Sequence, residues 1–284
     1  MAANAQTQFL QVLTRDQAEA AFLAALQPAP LASERLPLDR LSGRVLAVDV
    51  SAPVDAPPFD RAVVDGFAVR AGDLLQASAA EPVQLRLNPE VIHCGTAPAL
   101  PVTAGTATAI ATGGPVPRGA DAVVMIEHTD PVGDGISVSR AVAPGSHIAF
   151  AGSDIARGQT LLHQGSVLGA REIVMLAAVG LASAEVWVRP RIAVLSTGDE
   201  LVQPGEPLPP AGIYDANGPV IAAALRDIGC DAVHLGAVGD DTGALEAAVQ
   251  AAFNNHDGLI LSGGTSKGAG DLTTTACVPP GQPG

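Results

Sequence analysis

The 284-residue sequence contains few aromatic and few basic side chains. Phe, Trp and Tyr make up 3% of the residues, and 15 Lys and Arg stand against 29 Asp and Glu, which gives a net charge of -14. A nucleic-acid or anionic-membrane binder needs a basic face, and stacking on bases needs aromatic rings. The composition therefore argues against both classes. A bound phosphate must be held by backbone N–H groups, helix N-termini or a metal ion.

Cysteine and long apolar runs are also scarce. Cys94, Cys230 and Cys277 are far apart and form no Cys-x-x-Cys pattern, which argues against a disulfide framework or a zinc site and fits a reducing compartment. The most apolar stretch, 173–188, is interrupted by polar residues, and the N-terminus has no signal-peptide pattern. The six histidines form no i, i+4 pair, so we expect each on the surface or in packing. The expected location is the cytoplasm.

The sequence does contain a clear change of pattern near 189–191. From 36 to 188, short apolar runs separated by Gly, Pro and Asp predict extended or barrel-like β modules. After 191, strand and helix patterns alternate over short links, which predicts a three-layer α/β unit with a parallel sheet. The predicted strands are 45–48, 83–87, 107–111, 122–126, 136–138, 192–196, 232–238 and 258–261, and the predicted helices are 14–26, 170–179, 219–228 and 242–253.

A glycine-rich turn follows the last predicted strand and leads to Asp271. Ligands bind at the carboxyl ends of strands in α/β sheets, and glycines let backbone N–H groups approach an anion closely. Asp271 would hold a hard cation beside that anion. A plain strand-to-helix connection is the alternative. The residues expected around the anion are Gly263, Gly264, Thr265, Ser266, Lys267 and Gly268.

Carboxylates follow the other two strands of the predicted α/β unit as well. The first strand leads into Ser196-Thr197-Gly198-Asp199-Glu200, and the second into Gly239-Asp240-Asp241. Converging carboxylates repel one another unless a cation or shifted pKa values relieve them, so a Mg²⁺ bound with a ligand phosphate is one interpretation. The alternative for Asp240 or Asp241 is to cap the helix at Thr242. Asn217 is likewise expected to cap the helix that follows it, whose N-terminus is also a candidate phosphate site.

Seven blocks of sequence, taken in order, resemble the molybdopterin molybdenumtransferases, the molybdenum insertase family that includes the C-terminal domain of gephyrin. Each block alone is a weak signal, since Asp65-Gly66, for example, is a common turn pattern. The resemblance extends over nearly the whole chain. The blocks are Pro-Pro-Phe-Asp to Asp-Gly-Phe-Ala at 57–68, Thr-Gly-Gly-Pro-Val-Pro-Arg-Gly-Ala-Asp-Ala-Val-Val at 112–124, Gly-Ser-Asp-Ile at 152–155, Ser-Thr-Gly-Asp-Glu-Leu at 196–201, Ile-Tyr-Asp-Ala-Asn at 213–217, Gly-Asp-Asp at 239–241 and Gly-Gly-Thr-Ser-Lys-Gly-Ala-Gly-Asp at 263–271.

The resemblance implies a reaction, its substrates and its partners. The reaction is Mg²⁺-dependent insertion of molybdate into adenylated molybdopterin with release of AMP, and the implied assembly is an elongated homodimer supplied by a molybdopterin adenylyltransferase. The implied fold combines an α/β molybdopterin-binding domain, 189–284, with an extended β linker domain in two parts, 1–50 and 155–188, and an inserted small β-barrel-like domain, 51–154.

The resemblance also implies the roles of individual residues. Asp65, Thr112 and Asp154 are expected to be catalytic on the β side of the cleft. Glu200, Asp240 and Asp271 are expected on the α/β side, as catalytic residues and as the Mg²⁺ ligands. The cofactor-binding residues are expected to be Thr197, Gly198, Asp199, Gly263, Gly264, Thr265, Ser266 and Gly268.

Family members continue beyond the position that matches Gly284, so we interpret the chain as C-terminally truncated and expect it to insert molybdenum poorly. Two other interpretations stay open. One is a relative that binds pterin nucleotide or a partner without transferring metal. The other is a generic Mg²⁺-dependent nucleotide binder with an α/β core, to which molybdate would make no difference.

Overall fold

A computed structural model describes residues 14–25 and 29–263. The helices in these ranges are α1 (Arg15–Ala25), α2 (Ala170–Ala178), α3 (Asn217–Asp227) and α4 (Thr242–Asn255). The strands are β1 (Ser33–Pro37), β2 (Val50–Ser51), β3 (Arg61–Ala62), β4 (Gly66–Val69), β5 (Val83–Ile92), β6 (Thr106–Ile110), β7 (Ala122–Met125), β8 (Thr129–Val132), β9 (Gly135–Val138), β10 (Ile148–Ala149), β11 (Thr160–Leu162), β12 (Ser183–Trp187), β13 (Arg191–Thr197), β14 (Leu201–Val202), β15 (Ile213–Tyr214), β16 (Asp231–Val238) and β17 (Gly258–Ser262).

The chain divides into two compact units. Of the described residues, the β unit comprises Pro37–Ser42 and Val48–Ala184, and the α/β unit comprises those up to Leu36, Gly43–Ala47, and those from Glu185 to Gly263. The finer division into four segments stays a prediction. None of the described helices has the length and apolar character needed to cross a membrane.

The β unit is built on a mixed six-stranded sheet. Its strand order is β7-β4-β6-β5-β9-β8, and the neighbours are antiparallel except for β5 and β6, which run parallel. Its largest cluster of buried side chains includes Val69, Leu74, Val124 and Ile136. The predicted strands 83–87, 107–111, 122–126 and 136–138 all belong to this sheet.

The α/β unit has a three-stranded parallel sheet in the order β16-β13-β17. Successive side chains of a strand point to opposite faces, so neighbours in β13 contact different helices. Val194 packs with Ala222 of α3, whereas Leu195 packs with Leu245 and Val249 of α4. The sheet therefore lies between two helices, and the predicted α/β and β multidomain fold class is confirmed.

The prediction of a strand at 45–48 is wrong. Leu46 makes one isolated antiparallel bridge to Val186, and the chain then turns away from β12. Leu46 is buried while Val48 is 44% exposed. The apolar run therefore reflects burial of Leu46 and of Ala47, which is 2% exposed, and not pairing along a ladder.

Candidate functional site

A cavity of about 270 Å³ opens at the carboxyl ends of β13 and β17 in the α/β unit. Parallel pairing brings Ser196 beside Ser262, so the chain leaves both strands at the same edge. This is the edge at which the sequence predicted a ligand site. The cavity is lined by Thr197, Glu200, Leu201, Ile213, Tyr214, Asp215, Ala216, Asn217, Ser262 and Gly263.

The turn after β17 approaches the end of β13 closely. Gly263 has a positive φ of 115°, and a Cβ at this position would lie 2.5 Å from the carbonyl oxygen of Thr197. Only glycine tolerates both this backbone conformation and this separation. Glycine at position 263 is therefore needed to bring the turn after β17 against the end of β13.

A short strand pair forms one wall of the cavity. Leu201 and Val202 of β14 pair in parallel with Ile213 and Tyr214 of β15. The N–H of Ile213 also donates to the carbonyl oxygen of Glu200 at 2.9 Å. This bond helps to fix the backbone of Glu200, which lines the cavity and has an exposed side chain.

The acidic residues at the strand ends divide between two kinds of role. Asp199 Oδ1 accepts a hydrogen bond from the N–H of Asp240 at 2.9 Å, which ties the loop after β13 to the loop after β16. Asp241 Oδ1 accepts from the N–H of Ala244 at 2.7 Å and caps α4. The capping interpretation is therefore confirmed for Asp241.

The helix after β15 is capped by a different residue from the one expected. Helix α3 begins at Asn217 itself, so this side chain lies within the first turn. Asp215 Oδ1 instead accepts a hydrogen bond from the N–H of Gly218 at 3.0 Å. The prediction that Asn217 caps α3 is wrong, because the preceding carboxylate already occupies the N-terminal N–H groups.

Asp215 is the buried carboxylate of the cavity. Its side chain is 2% exposed, and its Oδ2 lies 3.0 Å from Nε2 of His234. Burial opposes ionisation of Asp215, but the Ser196 hydroxyl, the Gly218 and Asn217 N–H groups and the His234 ring together hold its pKa below the ordinary 3.8. Sequence reasoning missed His234, although its place on the same face of β16 as the buried Ala232 was a usable signal.

The described lining of the cavity carries negative charge. Glu200 and Asp215 are its two carboxylates, and it includes no Lys, Arg or His. An anionic phosphate entering this space would need a cation to offset the repulsion. Mg²⁺ prefers oxygen ligands such as the exposed carboxylates of Glu200 and Asp240, and it usually keeps several water molecules as further ligands. The donor chemistry thus fits Mg²⁺, although within 14–25 and 29–263 no three Asp, Glu, His or Cys side chains form a metal cluster of their own.

In the β unit, the structure brings Asp65 and Thr112 into direct contact. Asp65 Oδ1 accepts from the Thr112 N–H at 2.7 Å and from the Thr112 hydroxyl at 3.0 Å. These two bonds lower the pKa of Asp65, the backbone bond more than the side-chain bond. The contact arises because Gly66 of β4 pairs with Ile110 of β6, so residues 47 apart meet at one end of the sheet.

Asp154 lies near the start of the block that contains Asp65. Its N–H donates to the carbonyl oxygen of Ala56 at 3.0 Å, and its side chain is exposed. Further along the block, β3 pairs with β10 and Ala62 also exchanges backbone hydrogen bonds with Gly113 and Gly114. The blocks at 112–124 and 152–155 therefore both bond to the segment 56–68. Asp65 and Thr112 are in contact at one end of this segment, and Asp154 lies at the other end.

Several of the expected site residues lie outside the described ranges. Thr197, Gly198, Asp199 and Gly263 are described, as are Glu200 and Asp240. The expected site residues outside the described ranges are Gly264, Thr265, Ser266, Lys267, Gly268 and Asp271.

Two family profiles match the chain, one over each part. Residues 13–180 match the family described as "MoeA N-terminal region (domain I and II)", and residues 193–282 match the one described as "Probable molybdopterin binding domain". The second match contains the cavity of the α/β unit.

The chain is also similar to curated proteins and solved structures. It is 41% identical over 241 residues to molybdopterin molybdenumtransferase 2 of Mycobacterium tuberculosis, across 85% of this chain and 59% of that protein. It is 34% identical over 281 residues to the molybdopterin molybdenumtransferase of Haemophilus influenzae, across 95% of this chain and 66% of that protein. A crystal structure of the molybdopterin biosynthesis MoeA protein from Pyrococcus horikosii superposes with a TM-score of 0.81 at 36% identity, over 90% of this chain and 64% of that one.

The chain thus spans between 59% and 66% of the length of these two curated relatives. The N-terminal profile alone covers more than half of the chain, and the blocks that carry the resemblance occur in both units. The chain belongs to the MoeA family of molybdopterin molybdenumtransferases.

Proposed function

We propose that this chain binds adenylated molybdopterin and takes part in Mg²⁺-dependent insertion of molybdate, with release of AMP, in molybdenum cofactor biosynthesis. The observation that carries the proposal is the cavity at the carboxyl edge of the parallel sheet, inside the region that matches the molybdopterin-binding family. Its lining includes Thr197 and Ser262, which carry hydroxyl groups, and Gly263, which is exposed. These are the groups that suit phosphate and oxyanion oxygens.

Magnesium would be held by Glu200 and Asp240, with Asp271 as a third ligand from outside the described ranges. When bound, Mg²⁺ supplies the positive charge that neutralises phosphate oxygens as the bond to AMP is cleaved. Glu200 lines the cavity, and the hydrogen bond from the Asp240 N–H to Asp199 fixes the loop that carries Asp240.

On the β side, Asp65, Thr112 and Asp154 are the proposed catalytic residues. The Thr112 hydrogen bonds keep Asp65 ionised, so its carboxylate is an acceptor at neutral pH and not a proton donor. We propose that it orients a donor group of the pterin or of a water molecule while molybdate oxygens are exchanged for the dithiolene sulfurs.

We also propose a homodimer that receives its substrate from a molybdopterin adenylyltransferase in the cytoplasm. A two-fold assembly would bury exposed apolar side chains such as Phe22 and Leu23 of α1, which are 63% and 57% exposed. Analytical ultracentrifugation tests the assembly, and a monomer at every accessible concentration would contradict it.

Titration with AMP tests the nucleotide site. We expect AMP to bind the chain in the presence of Mg²⁺ and much more weakly in EDTA, and Glu200→Gln to reduce the Mg²⁺-dependent affinity by about tenfold. Glu246→Gln, at an exposed position of α4, is the matched control and should bind as the wild type does. Equal binding by all three proteins would contradict the assignment of Glu200.

Turnover separates an insertase from a relative that only binds. The purified chain is incubated with adenylated molybdopterin, Mg²⁺ and molybdate, and released AMP is measured alongside the molybdenum content of the pterin. AMP release that depends on molybdate supports insertion, whereas tight binding without release supports the non-catalytic alternative. Binding of AMP or ATP that is indifferent to both pterin and molybdate would instead indicate a generic nucleotide binder.

A further inference from the structure

A buried polar cluster includes Asp215, which lines the cavity of the α/β unit. It consists of Ser196 at the end of β13, Asp215 before α3, and His234 in β16. Asp215 and His234 have side chains that are 2% and 15% exposed, and Ser196 is fully buried. Within the described part of the chain, Ser196 Oγ, Asp215 Oδ2 and His234 Nε2 make no aligned hydrogen bond. Asp215 Oδ2 and His234 Nε2 lie 3.0 Å apart, so the two side chains are in direct polar contact.

The first turn of α3 is shaped to receive the imidazole ring. His234 occupies the same face of β16 as Ala232, which packs against α3. Gly218 lies directly over the ring, and a Cβ on this residue would overlap the imidazole atoms. The ring therefore fills a space that exists only because the second residue of the helix has no side chain.

We propose that His234 is a positioning residue of the cavity, acting on the bound ligand through Asp215 and the first turn of α3. This inference rests on the proposed function. Asp215 and Asn217 line the cavity, and Asp215 also accepts the N–H of Gly218 at 3.0 Å. Loss of the ring would leave a buried carboxylate beside a void, and such a group reorients or takes up a proton.

The surroundings of Asp215 make the role measurable. The groups that face its carboxylate are the Ser196 hydroxyl from β13, the Asn217 and Gly218 N–H groups from α3, and the His234 ring from β16. His234 is the titratable side chain in this set. Replacing it should therefore change the titration of Asp215 without altering any other charge in contact with the carboxylate.

The experiment measures AMP affinity with Mg²⁺ by calorimetry and the titration of the Asp215 carboxyl carbon by NMR in the ligand-free chain. His234→Leu should weaken AMP binding by about tenfold. It should also raise the pKa of Asp215, because the electrostatic contribution of the ring is lost. His234→Gln keeps an N–H donor and most of the volume, so it should retain neutral-pH AMP affinity within about threefold and still raise the pKa of Asp215. His163→Leu, which removes an exposed ring from an Asp49 pair in the β unit, is the control and should change neither quantity.

The outcomes distinguish this inference from the proposed function. Failure of the wild-type chain to bind AMP would refute the nucleotide site, and the positioning role would fall with it. If the wild type binds and both His234 variants bind equally well with an unmoved Asp215 titration, only the positioning role is refuted. Should His234→Leu fail to fold, as judged by circular dichroism, His234→Gln still decides, because an unmoved Asp215 pKa in that variant overturns the proposal.

Discussion

Replacement of Gly218 by alanine tests whether the His234 ring fills the space beside the first turn of α3. Gly218 is the second residue of α3 and is buried, and a Cβ there would overlap the ring. Gly243 is the second residue of α4 and is exposed. A Cβ on Gly243 would have as its nearest neighbour Asp241 Oδ1 at 3.5 Å, which is an ordinary contact. The two glycines therefore form a matched pair that differs in what lies above the helix.

The expected effects have opposite signs. Alanine is favoured over glycine in a helix by about 1 kcal/mol, so Gly243→Ala should stabilise the α/β unit by up to that amount. Gly218→Ala has the same propensity gain, but overpacking costs about 1–3 kcal/mol. Displacement of the ring also leaves the Asp215 carboxylate buried without its partner, at a further cost of about 1–3 kcal/mol. We expect a net loss of about 1–5 kcal/mol in the free energy of unfolding.

Urea unfolding followed by the fluorescence of Trp187 is the assay. This residue is the only tryptophan in the sequence, and it lies in β12 within the α/β unit, so its signal follows that unit. His234→Ala combined with Gly218→Ala should restore part of the loss, because the smaller side chain removes the overlap. This expectation would be refuted if Gly218→Ala gained as much stability as Gly243→Ala and if the effects of Gly218→Ala and His234→Ala were additive in the double variant.

Three further predictions concern single side chains. Thr112→Val removes the hydroxyl but keeps the backbone N–H, which lowers the pKa of Asp65 more than the hydroxyl does. NMR titration should therefore show the pKa of Asp65 rising only part of the way to its ordinary 3.8. A rise all the way to 3.8 would contradict the larger effect of the backbone hydrogen bond. The pKa of Asp215 is lowered on folding, so its contribution to stability is present above pH 3.8 and is lost as the pH falls through the folded-state value. Asp215→Asn should therefore reduce the loss of stability at acid pH in a curve of unfolding free energy against pH. An unchanged loss of stability at acid pH would count against this. Asp241→Ala should cost about 1 kcal/mol of stability through the lost cap, whereas Asp240→Ala should leave stability within about 0.5 kcal/mol and weaken Mg²⁺-dependent AMP binding. Urea midpoints and calorimetry on the two proteins check this, and the reverse pattern would exchange their roles.

The sequence predicts the sheet edge of the α/β unit well because its signals are local. Continuous apolar runs such as 192–196 and 258–261 indicate buried parallel strands, and parallel strands place their carboxyl ends together. The cavity lies where that inference placed it, with Thr197, Glu200 and Gly263 in its lining. Each step needs only the residues within one strand and the turn that follows it.

The contacts inside the site are less predictable, since they depend on pairing between distant segments. Asp65 and Thr112 meet through the register of β4 and β6, whereas their local patterns are those of an ordinary turn and a loop. His234 meets Asp215 because β16 turns that side chain toward α3, and a lone histidine in an apolar strand gives no indication of its partner. The resemblance singled out Asp65 and Thr112, but not His234.

Hydrogen bonding also explains why so many carboxylates gather at this edge in a chain of net charge -14. Three of them accept backbone N–H groups and thereby fix local structure: Asp199 holds the loop after β16, Asp241 begins α4, and Asp215 begins α3. Each of these three carboxylates therefore already has a hydrogen-bond donor within the protein. Glu200 and Asp240 keep exposed carboxylates at the same edge and are the ones available to a metal ion. A Mg²⁺ ion bound there would offset the charge of an anionic ligand, so the site should bind the ligand more weakly when Mg²⁺ is absent, and by linkage Mg²⁺ more weakly when the ligand is absent.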